Sequence, residues 1–276
     1  MQQRERHPGS PVPAISVIVP TVRVDADFRA AIDSLVAQTL DDIEIVVVLD
    51  GAADAAEPEL AWLAADDRIR VVVNVRRLGT PAALNRGVAA ARADFIARLD
   101  ADDLAEPERL AVQLAAFAGR PDLVLVGSSA AVVDGAGCRI GLLGVPTRDI
   151  ERHLLRRNAF VHSSVVMRRE AFDRVGGYDE RCTRMQDYDL WLRLARVGAV
   201  ANLATPLVSY RVHDGMHSRR TPAFGAAARS VLRSRVALAR HLGRAPVGQH
   251  LHNAVWTAAQ LLRSLRLRRP RYLAGG

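Results

Sequence analysis

The chain contains no lysine, so all 38 of its basic side chains are arginines, set against 30 acids. Cysteine is almost absent. Cys138 and Cys182 alone exclude a disulfide scaffold and a multi-cysteine zinc site, and they fit a reducing compartment, the cytosol. No run of eighteen apolar residues occurs, so no transmembrane helix is expected. The apolar core Ile15–Val19 near the start is too short for a signal peptide, and residues 1–13 read as a flexible leader. No aromatic-interleaved basic strand, zinc finger or helix-turn-helix pattern is present, which argues against nucleic acid as a partner. Glycine is missing from PTVRVDAD (20–27), where a dinucleotide-binding G-x-G-x-x-G or a glycine-rich phosphate loop would stand. What remains is a chain of 276 residues, 49% hydrophobic and 25% charged, enough for one large core and an appendage.

The charge is unevenly placed. Twelve arginines and no acid lie between Gly215 and Gly276, so residues 1–214 keep 26 arginines against all 30 acids, a net −4. The body is mildly acidic and the tail strongly cationic. Within the tail, Val247, Leu251, Ala254, Val255, Ala258, Leu261, Leu262 and Leu265 follow the spacing of one helical face. Arg263, Arg266, Arg268 and Arg269 crowd the helix end, where the dipole favours cations. Three uses of this helix stay open: packing on the body, peripheral contact with anionic membrane lipid, and a homodimer interface.

The body alternates strands and helices. AISVIVP (14–20), IEIVVVL (43–49), IRVVV (69–73) and DFIARL (94–99) read as buried strands. Between them lie a helical stripe from Phe28 to Val36, capped by Asp25 or Asp27, a helix near 57–65, and a helix from Pro81 to Ala91. This order predicts an α/β fold: a Rossmann-like three-layer α/β/α arrangement with a mainly parallel central sheet. Pro107 suits the first turn of a further helix. LVLVG, SAAVV and CRIGLL read as shorter strands that extend the sheet, with Asp134-Gly135 as a turn.

Ligands of such sheets bind beyond the carboxyl ends of the strands. Those places hold Pro20-Thr21, Asp50-Gly51, the stretch Asn74–Thr80, and Asp100-Ala101-Asp102-Asp103. Two carboxylates two residues apart in extended chain point the same way and repel. They become favourable around a hard divalent cation and a diphosphate, so Mg2+ or Mn2+ is the cofactor expected.

The series VIVPT, LDGAAD, LGTPAALNRGVAAARADFIARLDADD, GGYDE, QDYDLWLRL and YRVH resembles family 2 glycosyltransferases of the A-type fold, from residue 15 to about 213. That resemblance implies a glycosyltransferase domain over 14–213, with a nucleotide-binding half (14–103) and an acceptor-side half (104–213). The basic helical extension 214–276 lies outside it. It implies that Pro20 and Thr21 lie along the nucleotide, that Asp50 meets the base, and that Gly79 and Asn85 stand beside nucleotide and sugar. Asp102 would ligate the metal, Asp100 would support it or touch the donor, and His213 would complete the site. Asp103 is expected as a cap or supporting group, Arg98 as structural, and His162 on the acceptor side. Asp187, in the first turn of a helix, would be the catalytic base. The sequence departs from the family pattern at Leu49, Ala52 and Gln186.

The activity implied is inverting, metal-dependent transfer of a sugar from a nucleotide diphosphosugar, uridine being the expected base, to an acceptor hydroxyl, lipid-linked acceptors included. Polysaccharide, cell-envelope or glycoconjugate biosynthesis is the setting implied, at the cytoplasmic side. A non-catalytic nucleotide-sugar-binding relative and a nucleotidyltransferase are the alternatives.

Overall fold

The computed structural model describes residues 12–51, 60–212 and 225–264. Its elements in chain order are β1 (Ile15–Thr21), α1 (Ala26–Val36), β2 (Ile43–Asp50), a 3-10 turn (Ala61–Ala65) and β3 (Ile69–Asn74). Then come α2 (Thr80–Ala90), β4 (Phe95–Arg98), β5 (Leu104–Ala105), α3 (Arg109–Ala115), β6 (Leu123–Val133) and β7 (Arg139–Leu143). The chain continues with α4 (Ile150–Leu154), β8 (Val166–Arg168), α5 (Arg169–Arg174), α6 (Gln186–Leu194) and β9 (Ala199–Arg211). Helices α7 (Ala226–His241) and α8 (Pro246–Ser264) follow.

The nine strands form one sheet in the order β3-β2-β1-β4-β8-β6-β9-β5, with β7 paired to β6. Strands β3, β2, β1 and β4 are parallel. Beyond β4 the sheet turns mixed, because β8 runs antiparallel to both β4 and β6 while β6 and β9 are parallel. Every residue of β2 is buried, as expected of a strand covered on both faces. Alternate side chains feed two cores. Ile18, Val46 and Val48 pack with Ala83, Leu84 and Val88 of α2 and Leu190, Trp191 and Leu194 of α6. Val17, Val19, Ile45 and Val47 pack on Phe28, Ala31, Ile32 and Leu35 of α1. Each such aliphatic side chain contributes about 1.5–3 kcal/mol on burial. Asp25 caps α1 by accepting from the Phe28 amide at 3.0 Å.

Two expectations are revised, and one of the uses left open for the tail helix is narrowed. Of the helix expected near 57–65, residues 57–59 lie outside the described residues, and Ala61–Ala65 form only a 3-10 turn. LVLVG and SAAVV are not separate strands but one strand of eleven residues, β6. Its pairing with β9 shifts register around Ser128–Ser129. At that point the Ser164 hydroxyl takes the Ser128 amide and donates to the Ser128 carbonyl, both at 3.0 Å, so the irregular backbone stays satisfied. In α8 the apolar stripe does not pack on the body: Val247, Leu251 and Val255 are exposed.

Candidate active site

Thr21, Asp50 and the 100–103 acids all lie at the carboxyl edge of the parallel strands. Pro20 and Thr21 end β1, which is flanked by β2 and β4. Two strand spacings separate the ends of β2 and β4, about 10 Å. The Thr21 hydroxyl accepts from the Arg23 amide at 3.1 Å and shapes the loop after β1.

Asp50 is buried, and its carboxylate is committed to the loop after β3. Oδ1 accepts from Asn74 Nδ2 at 2.9 Å and from the Leu78 amide at 2.8 Å, and Oδ2 accepts from the Gly79 amide at 2.8 Å. Gly51 follows with φ +78°, and a Cβ there would fall 2.7 Å from the Arg77 nitrogen, so the loop closes only over glycine. Gly79 begins α2 at φ +92° with open space where its side chain would be. Because Asp50 demands a donor, the Asn74 amide orientation is fixed. Its Oδ1 is then buried with no partner among the described residues. That is an acceptor beside Asp50 suited to a ligand N–H.

Asn85 is held by the GGYDE loop. Its Nδ2 donates to the Tyr178 carbonyl at 2.9 Å and its Oδ1 accepts from the Tyr178 amide at 2.9 Å. Asn85 thus forms a clamp between α2 and the GGYDE loop. Tyr178 is buried, and its main chain is held by this clamp.

The acids after β4 are gathered by Arg98 and Ser163. Both terminal guanidinium nitrogens, Nη1 and Nη2, of buried Arg98 donate to the Asp100 carboxylate, and Nη1 also reaches Ser163 Oγ at 3.1 Å. The Ser163 hydroxyl sits between Asp100 Oδ2, at 2.9 Å, and Asp103 Oδ2, and can donate to one at a time. Asp103 also accepts from the Arg211 amide at 2.8 Å. Beneath them, fully buried Arg109 donates to the Arg98 carbonyl at 2.7 Å. Burial, with the neighbouring charge of Asp102, pushes the Asp103 carboxyl up to about 6. Ligand atoms of Asp100, Asp102 and Asp103 all lie within 4.8 Å of one another. A set of hard oxygens whose mutual charge is costly fits Mg2+ or Mn2+. Asp100, however, already has a cation in Arg98. His213 lies outside the described residues.

Asp187 stands half-buried in the first turn of α6. Asn158 Nδ2 donates to its Oδ2 at 2.6 Å. Burial raises its carboxyl above the usual range, while the Tyr188 amide, Asn158 and Arg98 act the other way. Asp102, Asp103 and Asp187 all lie close enough to Arg98 to act on it electrostatically, against the burial that lowers its pKa. The acids after β4 and the acid of α6 therefore share one neighbourhood. His162 Nε2 and the Tyr178 hydroxyl are 3.0 Å apart, and burial, then Arg98, holds the His162 imidazole well below its ordinary pKa, so it is neutral. Asp189 faces away, binding Arg193, Ser230 and Ser234.

Sequence reasoning omits Ser163 and Asn158, and takes Arg98 as structural. A signal exists for Arg98: extended chain places 98, 100 and 102 on one side. None exists for Ser163 or Asn158, which reach the site from distant segments.

Residues 16–176 match the family model described as glycosyl transferase family 2. The amylovoran biosynthesis glycosyltransferase AmsE of Erwinia amylovora is 33% identical over 197 residues, 70% of this chain and 74% of that one. The O-antigen biosynthesis glycosyltransferase WbnJ of Escherichia coli is 29% identical over 209 residues, 72% of this chain and 80% of that one. The crystal structure of S. aureus TarS 1–349 in complex with UDP shares the fold. Its TM-score is 0.65 at 17% identity, over 90% of this chain and 71% of that one. The A-type glycosyltransferase fold is thus established, and so is the class of enzyme. With the family model spanning more than half of its length, the chain belongs to glycosyl transferase family 2.

Proposed function

We propose that the protein transfers a sugar from a uridine diphosphosugar to an acceptor hydroxyl, with inversion and with Mg2+ or Mn2+, in the synthesis of a polysaccharide or other envelope glycan. The observation that carries this reading is the common electrostatic neighbourhood of Asp102, Asp103 and Asp187 around Arg98. The relatives named for amylovoran and O-antigen biosynthesis support the setting, and the UDP bound in TarS supports the base.

Asp50, with the orphaned Asn74 carbonyl oxygen, offers acceptors to the ring N–H of the base. Pro20, Thr21 and Gly79 border the nucleotide. Asp102 is assigned as the principal metal ligand, with Asp103 beside it and His213 as the expected completing group. A divalent cation held there by Asp102 and Asp103 would supply positive charge for the diphosphate. Arg98 keeps Asp100 paired, so that fewer uncompensated charges face the donor. Asp187 takes the acceptor proton as the hydroxyl oxygen bonds to the anomeric carbon and the bond to the diphosphate breaks. Burial makes this aspartate a better base than the ordinary carboxylate, and Asn158 holds one oxygen in place. A single base without a carboxylate nucleophile gives one displacement, hence inversion.

The test uses UDP release and product mass spectrometry over a panel of donors. Asp187→Asn should bind nucleotide but not transfer sugar, and Asp102→Ala should lose activity that Mn2+ restores to the wild type after chelation. Full transfer by Asp187→Asn, or activity indifferent to chelator, would remove these assignments.

A further inference from the structure

Helix α8 is built with its faces exchanged. Val247, Leu251, Val255 and Leu262 lie on one side of the helix and are 78%, 69%, 60% and 42% exposed. The side turned to the protein carries Gln249, Asn253 and Gln260, all buried. Gln249 Nε2 donates to the Leu155 carbonyl at 3.1 Å and to Asn253 Oδ1 at 2.9 Å, and Asn253 Nδ2 donates to the Leu232 carbonyl at 3.2 Å. Rotating the helix to hide the aliphatic side would strand these amides and the carbonyls they satisfy. The outward apolar stripe is therefore fixed by specific hydrogen bonds and is not a loosely placed helix.

We infer that α8 seats the protein on an anionic phospholipid surface, its apolar stripe in the headgroup layer and the tail arginines on lipid phosphates. The charge pattern selects this occupant. Twelve arginines and no acid occupy residues 215–276, and Arg229, Arg233, Arg240 and Arg244 are exposed. A second copy of this helix would bring together two segments whose charged side chains are all arginine, whereas anionic lipid answers both the stripe and the charge. The stripe runs for about 22 Å along the helix, a length suited to lying in an interface. Among the described residues no helix is long and apolar enough to cross a membrane.

The inner face of α8 is tied to the segment that reaches Asp187. Gln249 holds the Leu155 carbonyl, Arg235 of α7 holds the Arg156 carbonyl at 2.8 Å, and Asn158 of the same segment holds Asp187. The segment that anchors the inner face of α8 therefore also holds the group assigned to the acceptor, a linkage that suits an acceptor carried on lipid. This last step rests on the role of Asp187; the docking itself does not.

The full chain is tested by co-sedimentation with vesicles of phosphatidylcholine alone and with roughly 30% phosphatidylglycerol, at low and high salt. The expected result is at least about tenfold tighter binding to the anionic vesicles, weakened by salt. The double variant Leu251→Gln/Val255→Gln should lose it by about tenfold, with unchanged thermal midpoint and unchanged UDP release in the absence of vesicles. A second pair, Val247→Gln/Leu262→Gln, should behave alike. Equal binding to both vesicle types, undiminished binding by both double variants, or a dimer that the substitutions dissolve would overturn the proposal. Failure of Asp187 as base would leave the vesicle result standing.

Discussion

In β2 every side chain from Ile43 to Asp50 is buried, and both of its carboxylates are matched: Glu44 by Ser16 and Arg92, Asp50 by Asn74 and two amides. In α8 the buried positions are amides, and the aliphatic ones face outward. Both regions satisfy their buried polar groups, but only β2 also hides its apolar ones. The difference separates a part of the molecule that is complete by itself from a part shaped for something else. Substitutions should therefore be costly in the body and nearly silent on the outer face of α8.

The largest effect is expected at the cleft. Asp187→Asn should lower transfer by about a thousandfold, or about 4 kcal/mol in the barrier, with UDP affinity by calorimetry within about twofold of wild type. Arg98→Met removes a buried cation from between acids and should destabilise the fold by about 3 kcal/mol in urea titration. The milder Arg98→Lys keeps the positive charge and should recover part of that loss. Asp50→Ala strands the Leu78 and Gly79 amides and should cost about 2 kcal/mol, with weaker UDP binding. For His162 the sign follows from its lowered pKa. The unfolded chain takes up a proton near 6.5 and the folded one does not, so this contribution is present above pH 6.5 and is lost on acidification. Wild type should lose stability relative to His162→Gln between about pH 7.5 and about 5.5. Leu251→Gln should stay within about 0.5 kcal/mol of wild type in solution. A large loss there would erase the contrast between the two regions.

The half of the fold carrying β1–β4, α1 and α2 is legible because its signals are local: buried β-branched runs, a helical stripe, and Asp25 three residues before the amide it caps. The length of β6 is not, since Gly127, Ser128 and Ser129 read as a break and Ser164, 36 residues away, satisfies the Ser128 backbone there. Asp50 and the 100–103 acids can be located by their strand ends, and Asp187 by the start of its helix. Their partners cannot, because Ser163 and Asn158 arrive from other segments. Periodicity reveals the stripe of α8 but not its direction. That depends on carbonyls of Leu155 and Leu232, which no pattern within the helix announces.

The clamp made by Asn85 bears on what fixes the distance between α2 and the GGYDE loop. It grips the main chain of residue 178, donating to its carbonyl and accepting from its amide. Any amino acid other than proline at 178 presents the same two groups. The spacing between α2 and this loop is thus set by main-chain groups, while the buried Tyr178 side chain is a separate constraint, packed on Phe172 and within reach of His162.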